Sequence, residues 1–340
     1  MTNSANDYDS KLSKRKTTLN ICLPEKMTDA KQRRQKEAQE HLSKAEKCLK
    51  TSFMKWTPDL DGAASEYTQA ATCYRNAKML TEAKQAYVKT AEIQCKMNSP
   101  FHAGKSYEQA GLIAKENKEI EDCVNMLTKA ARLFQENGTP DTAALCLEKA
   151  AKSVELSHPV KAAELYRNAC DISELEDNPR RCAEFIGKSA LLLIKEQRYE
   201  EALEALKKEI DFHAQSENFP KINRCMVGVV LVYLYNGDPV EAGKFFQQSM
   251  SHGTLGASEE AGIIDELLSA YNDGDEESAV EVLTRPYIKF MDNAFAKLAK
   301  SMVIPGGIGK KGSGKPVSET EGKSRVQIDD DEDEFDGGLT

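Results

Sequence analysis

At 340 residues the chain can bury a large core, as one or two domains or as one elongated array. It is 40% hydrophobic, 30% charged and only 7% aromatic, the composition of helices with long solvated faces. The formal net charge of −9 is a property of one end, because "DDDEDEFD" (Asp329 to Asp336) holds seven acids and the remainder carries about −2. A nearly neutral body excludes a global basic field and gives no support for nucleic-acid binding.

Nine cysteines are present, mostly isolated among small residues, with no CxxC pair. They predict buried thiols in a reducing cytosol, with neither disulfides nor a metal or cofactor site. The five histidines are far apart, and HExxH and GxSxG are missing. Nothing assembles a catalytic constellation, so the expectation is a binding protein and not an enzyme. The longest apolar run, "MVGVVLVYLY" (Met226 to Tyr235), is about half the ~20 residues that span a bilayer. It predicts a fully buried helix, and any membrane contact would be peripheral.

In chain order, residues 1–26 are polar and patternless and are expected to be disordered. A helix is predicted from near Thr28, with Ala38, Leu42, Ala45 and Leu49 on one stripe. It runs into "TSFMKWTPDLDG" (Thr51 to Gly62), which Pro58 and Gly62 mark as a loop. Phe53, Met54 and the single tryptophan, Trp56, crowd this loop. Either the three side chains fold back into the core, or they anchor at a membrane interface, where tryptophan is enriched. Three partly inserted side chains would act much like one lipid chain, with an association constant of only ~10⁴ M⁻¹, so a second attachment point would be required.

A repeat follows. "AASEYTQAA", "AGKSYEQAG", "AALCLEKAA" and "CAEFIGKSA" align as small-x-x-large-x-x-small at Ala64/Tyr67/Ala70, Gly104/Tyr107/Ala110, Ala144/Leu147/Ala150 and Ala183/Ile186/Ser189. Their spacing is 40, 40 and 39 residues. A second series, Ala83/Ala86, Cys123/Met126, Ala163/Tyr166 and Ala202/Ala205, lies between them. Each unit therefore reads as two helices that cannot bury their stripes alone and must stack. In "NGTPD" (137–141), Gly138 suits a left-handed helix end, Thr139 an N-cap and Pro140 a first helical turn.

The predicted fold is all-α: a right-handed superhelical array of antiparallel helix pairs, similar to tetratricopeptide repeats, over 27–220. The repeat weakens after about 218. Helices near 221–236, 239–250, 258–272 and 276–302 would form a C-terminal bundle over 221–304. Residues 305–340 read as a basic linker and acidic tail. The linker fits GxGxxG and, but for Pro316, a phosphate-binding loop; lacking a preceding strand and a following helix, it cannot cradle phosphate. In the tail, acids precede Phe335 and Leu339, an order suited to steering toward a basic partner and then anchoring.

Together these parts resemble the soluble NSF attachment protein family. The strings "FMKWTPD", "ASEYTQAA", "ENGTPDTAALCLEKA" and "KFMDNAFAKLAKSMVIPGG" are similar to its gamma members, over about residues 30–340. The resemblance implies an adaptor that wraps assembled SNARE four-helix complexes of the syntaxin type. It implies recruitment and stimulation of the hexameric ATPase NSF, and a peripheral position on membranes of the secretory and endosomal pathway. By the same resemblance Phe53, Met54 and Trp56 form the membrane-attachment loop. Leu339, with Asp333, Glu334 and Phe335, forms the NSF-stimulating tail. Lys105, Lys188 and Arg198 face the SNARE bundle, while Leu145 stands where another lysine is expected. The competing reading is a generic helical-repeat scaffold or chaperone co-factor, whose usual period of ~34 residues fits less well.

Overall fold

The computed structural model describes residues 23–51, 56–250, 256, 258–305 and 323–325. The predicted helix near Thr28 is α1 (Leu23–Leu49) and begins upstream of that residue. Then come α2 (Leu60–Asn76), α3 (Leu80–Lys96), α4 (Pro100–Glu116), α5 (Ile120–Glu136), α6 (Pro140–Val154), α7 (Pro159–Glu174), α8 (Pro179–Lys195), α9 (Tyr199–Gln215), α10 (Phe219–Tyr235) and α11 (Pro239–Met250). The starts advance by 20 residues at every step from α2 to α11 except the step from α6 to α7, which takes 19. This is the origin of the 40, 40 and 39 spacing. The elementary unit is one helix plus one turn, and it continues through α10 and α11, past the point where the sequence motif fades.

The turns explain the constancy. Seventeen residues of helix are followed by a residue in the left-handed region: Lys78 (φ 59°), Asn98 (φ 54°), Lys118 (φ 63°), Gln197 (φ 60°) and Glu217 (φ 53°). Gly138 (φ 75°) and Gly237 (φ 80°) play the same part. Each such turn ties two N–H groups back to the helix just ended. In the first, Met79 N–H donates to Tyr74 O (2.9 Å) and Lys78 N–H to Arg75 O (3.0 Å). The identical pair recurs at Glu119/Ala114 with Lys118/Lys115 and at Arg198/Leu193 with Gln197/Ile194. This motif satisfies carbonyls that a helix end leaves orphaned, and it reverses the chain in three residues. Pro100, Pro140, Pro159 and Pro179 then open helices where a missing N–H costs nothing. The Thr139 hydroxyl donates to Phe134 O (2.9 Å) and so helps to finish α5.

Contacts divide the chain into two compact units, with the boundary between Ser153 and Val154. In the first, α1 to α5 pack each on the next. The stripe residues Ala38 and Ala45 are fully buried, and Leu42 touches both core clusters, one around Tyr74, Tyr87 and Ile113, the other around Tyr67 and Ile93. All twelve residues of the first small-large-small series are buried, as its spacing requires; in the second series Met126 stays half-buried while Leu127 fills the core. Small residues bring helix axes close, and the large residue between them fills the seam.

In the second unit α7, α8, α9 and α10 continue the same packing. The apolar run Met226–Tyr235 lies in α10, buried from Met226 through Leu234, with Tyr235 half-buried. Around α10 gather α11, α12 (Glu259–Asp273) and α15 (Asn293–Lys300). The single helix expected over 276–302 is in fact three: α13 (Glu276–Leu283), α14 (Pro286–Lys289) and α15. Pro286 forces Arg285 into an extended conformation (ψ 145°), and Asp292 breaks the chain again (ψ 143°). Two short strands, β1 (Val303–Pro305) and β2 (Lys323–Arg325), pair antiparallel, with Ile304 of β1 fully buried.

Candidate functional site

The loop after α1 is closed at its base. Asp59 N–H donates to Cys48 O (3.0 Å), and the Asp59 carboxylate accepts from Gly62 N–H (2.9 Å) as the N-cap of α2. Gly62 thus lies in the first turn of α2, not in the loop as its residue type suggested. Between these ties Trp56 is 84% exposed. Phe53 and Met54 lie outside the described residues. Because α1 to α6 alternate in direction, this loop shares one end of the first unit with the turns Met97–Ser99 and Asn137–Thr139. Neither turn contains a carboxylate.

Among the described residues, four lysines rest on aromatic rings. In the first unit Lys105 Nζ is 4.9 Å from the Phe101 ring centre on the same helix, and Lys129 of α5 is 5.6 Å from that of Tyr107 of α4. In the second, Lys188 of α8 is 5.5 Å from Tyr166 of α7 and 6.0 Å from Phe185. Lys207 of α9 is 5.3 Å from Tyr233 of α10 and also donates to its hydroxyl (2.7 Å). Each such contact is worth ~0.5–1 kcal/mol at an exposed site. Its consequence is order: a lysine already held over a ring loses less side-chain entropy when an anionic partner arrives. Burial holds the Tyr107 phenol above its ordinary range, so the ring stays neutral beneath its lysine.

Arg198 sits at the start of α9 and pairs with Glu201 one turn on; Glu201 is also 3.8 Å from Arg167. Sequence reasoning missed Lys129 and Lys207. The signal for the first was present: Tyr107 and Lys129, like Tyr166 and Lys188, are 22 residues apart, one full helix-and-turn step plus two. Leu145 is 40% exposed on α6. Asp333, Glu334, Phe335 and Leu339 lie outside the described residues. Among the described residues no helix is long and apolar enough to cross a membrane.

The family model for the soluble NSF attachment proteins matches residues 36–285, from α1 to the end of α13. The chain belongs to the soluble NSF attachment protein family. Within that family it is 28% identical to a gamma-soluble NSF attachment protein of Dictyostelium discoideum, over 79% of this chain and 83% of the relative. It is 26% identical to the Arabidopsis thaliana gamma protein over 77% of this chain and 90% of that one. Similarity to the alpha-soluble NSF attachment protein of Vitis vinifera is 27% over only 42% of this chain and half of the relative. The family match therefore spans both compact units and the aromatic loop, and it stops short of the acidic tail.

Proposed function

We propose that this protein attaches to assembled SNARE complexes of the syntaxin type on membranes and recruits and stimulates the NSF hexamer to take them apart, in vesicle trafficking and membrane fusion. Family membership over residues 36–285 carries the reading and makes the chain an adaptor, not an enzyme. In this proposal the loop with Phe53, Met54 and Trp56 grips the membrane surface. The exposure of Trp56, and the carboxylate-free turns at the same end, favour that use over a place in the core. Lys105 and Lys188, held over aromatic rings, present ordered positive charge to the acidic SNARE bundle, and Lys129 and Lys207 are held over rings in the same way. Asp333, Glu334, Phe335 and Leu339 dock on NSF. The protein works in the cytoplasm, peripherally bound to secretory and endosomal membranes.

The weak grip of one aromatic loop suits this division of labour, because the SNARE complex supplies the second attachment and the two add as linked sites. The test is disassembly of a purified SNARE complex by NSF and ATP. Added protein should bring NSF to the complex and raise the disassembly rate. No recruitment and no acceleration with any cognate SNARE set would sink the proposal.

A further inference from the structure

Two clusters of metal-ligand side chains occur among the described residues, and neither is visible as a sequence motif. In the first, Glu37, His41 and Cys73, the imidazole is already engaged: His41 Nδ1 is 2.7 Å from Glu66 Oε2, and Glu37 is exposed. The second, Glu209, His213 and Cys225, is different in each respect. Glu209 and His213 stand one turn apart on α9, so they share a face, and Cys225 meets them from α10. One donor atom from each lies within 4.8 Å of the other two. His213 and Cys225 are each only 8% exposed. His213 Nδ1 is buried with no hydrogen-bond partner, and Nε2 is 3.6 Å from Glu209 Oε1. A buried imidazole left this short of partners calls for a ligand.

On α8, a Cβ at Gly187 would lie 2.7 Å from Glu209 Oε1 and 2.9 Å from its Cδ, so the Glu209 carboxylate rests against this bare stretch of helix. Beside Glu209 and Cys225 is a cavity of about 50 Å³, whose lining includes these two side chains and not His213. Lys221, Arg224 and Asp292 also line it. The two cations outnumber the one carboxylate, so the lining opposes any surplus of positive charge at the site.

We propose that Glu209, His213 and Cys225 bind one divalent zinc-class cation, with the fourth position open to water. One carboxylate and one thiolate cancel the two charges of the ion, and neutral imidazole completes an uncharged buried site, the one combination that burial favours. Nitrogen, sulfur and oxygen donors together suit Zn²⁺ over Mg²⁺ or Ca²⁺. Binding displaces the Cys225 thiol proton: the S–H bond breaks, the metal–sulfur bond forms, and one proton leaves to solvent. The ion would clamp α9 to α10 at the centre of the second unit.

Co²⁺ titration of the metal-stripped full chain tests this. One equivalent should produce the intense thiolate-to-cobalt absorption and tetrahedral visible bands, both displaced by Zn²⁺. One proton should be released per ion, and Zn²⁺ should raise the thermal midpoint. Cys225→Ser should abolish the charge-transfer band. His213→Gln and Glu209→Gln should weaken binding at least about 10–100-fold. Cys73→Ser should change nothing. If Cys225→Ser fails to fold, Zn²⁺ must still protect Cys225 of the unmutated chain from alkylation under partly denaturing conditions. An unchanged band in Cys225→Ser, loss of the band in Cys73→Ser, or no thiolate band and no protection overturns the assignment.

Discussion

Gly228 sits midway along α10, where Phe295 of α15 lays its ring edge directly over the backbone. A Cβ added at Gly228 would lie 2.7 Å from Phe295 Cζ, 2.8 Å from Cε1 and 3.3 Å from Cε2. Carbon atoms settle at ~3.5–4.0 Å, so two ring atoms overlap the new methyl by close to 1 Å. The ring cannot swing away freely, because Phe295 is only 5% exposed and packed on all sides. Overpacking of this kind costs ~1–3 kcal/mol, and the rigid ring places it in the upper part of that range. Alanine returns ~1 kcal/mol through helix propensity. Gly228→Ala should therefore destabilise by about 1–2 kcal/mol. Leucine at 295 lacks the far ring atoms, so in the Phe295→Leu background the same change should be neutral or stabilise by up to ~1 kcal/mol. The coupling between the two sites is then about 2 kcal/mol, well beyond the ~0.3–0.5 kcal/mol expected of independent positions. The four proteins can be compared by native-state hydrogen exchange of the α10 amides, which reads the second unit by itself even if the two units unfold separately. Equal effects of Gly228→Ala in both backgrounds, or stabilisation of the unmutated chain, would refute the packing argument.

The turns offer a test with the opposite sign: Lys118→Gly and Gln197→Gly should each stabilise by ~0.5–1 kcal/mol, because an L side chain is strained at φ 63° and 60°, and a lowered urea midpoint would contradict this. Replacing Phe53, Met54 and Trp56 with serine should leave the circular dichroism unchanged and abolish liposome flotation; loss of helix would instead place these side chains in the core. Lys188→Glu should weaken SNARE binding about tenfold, ~1.4 kcal/mol, whereas Arg198→Ala should change it less than about twofold because Glu201 already engages Arg198, and the reverse order would exclude the assigned face. Leu339→Ala should preserve SNARE binding and reduce NSF stimulation, with unchanged stimulation reducing the tail to a solubilising end.

The sequence by itself determined the helices and the step that repeats them. Small-large-small spacing marks a helix seam, and turn-formers or prolines recur where each helix must stop; both are local effects, set within a few residues of backbone. The single missing residue between α6 and α7 was already present as a 39 among the 40s. Residue type alone misplaced Gly62, which reads as a loop residue but is drawn into α2 by the Asp59 cap three residues earlier. At the candidate site the aromatic loop was legible from composition, since three bulky side chains flank a proline. The ordering of lysines over tyrosines was marked only by the 22-residue spacing of Tyr107/Lys129 and Tyr166/Lys188, because each pair joins neighbouring helices and depends on how one seam rotates against the next. Tertiary structure alone brought Cys225 of α10 to Glu209 and His213 of α9. No spacing rule encodes those meetings, because the distance between side chains on different helices is fixed by helix-to-helix packing and not by the intervening chain.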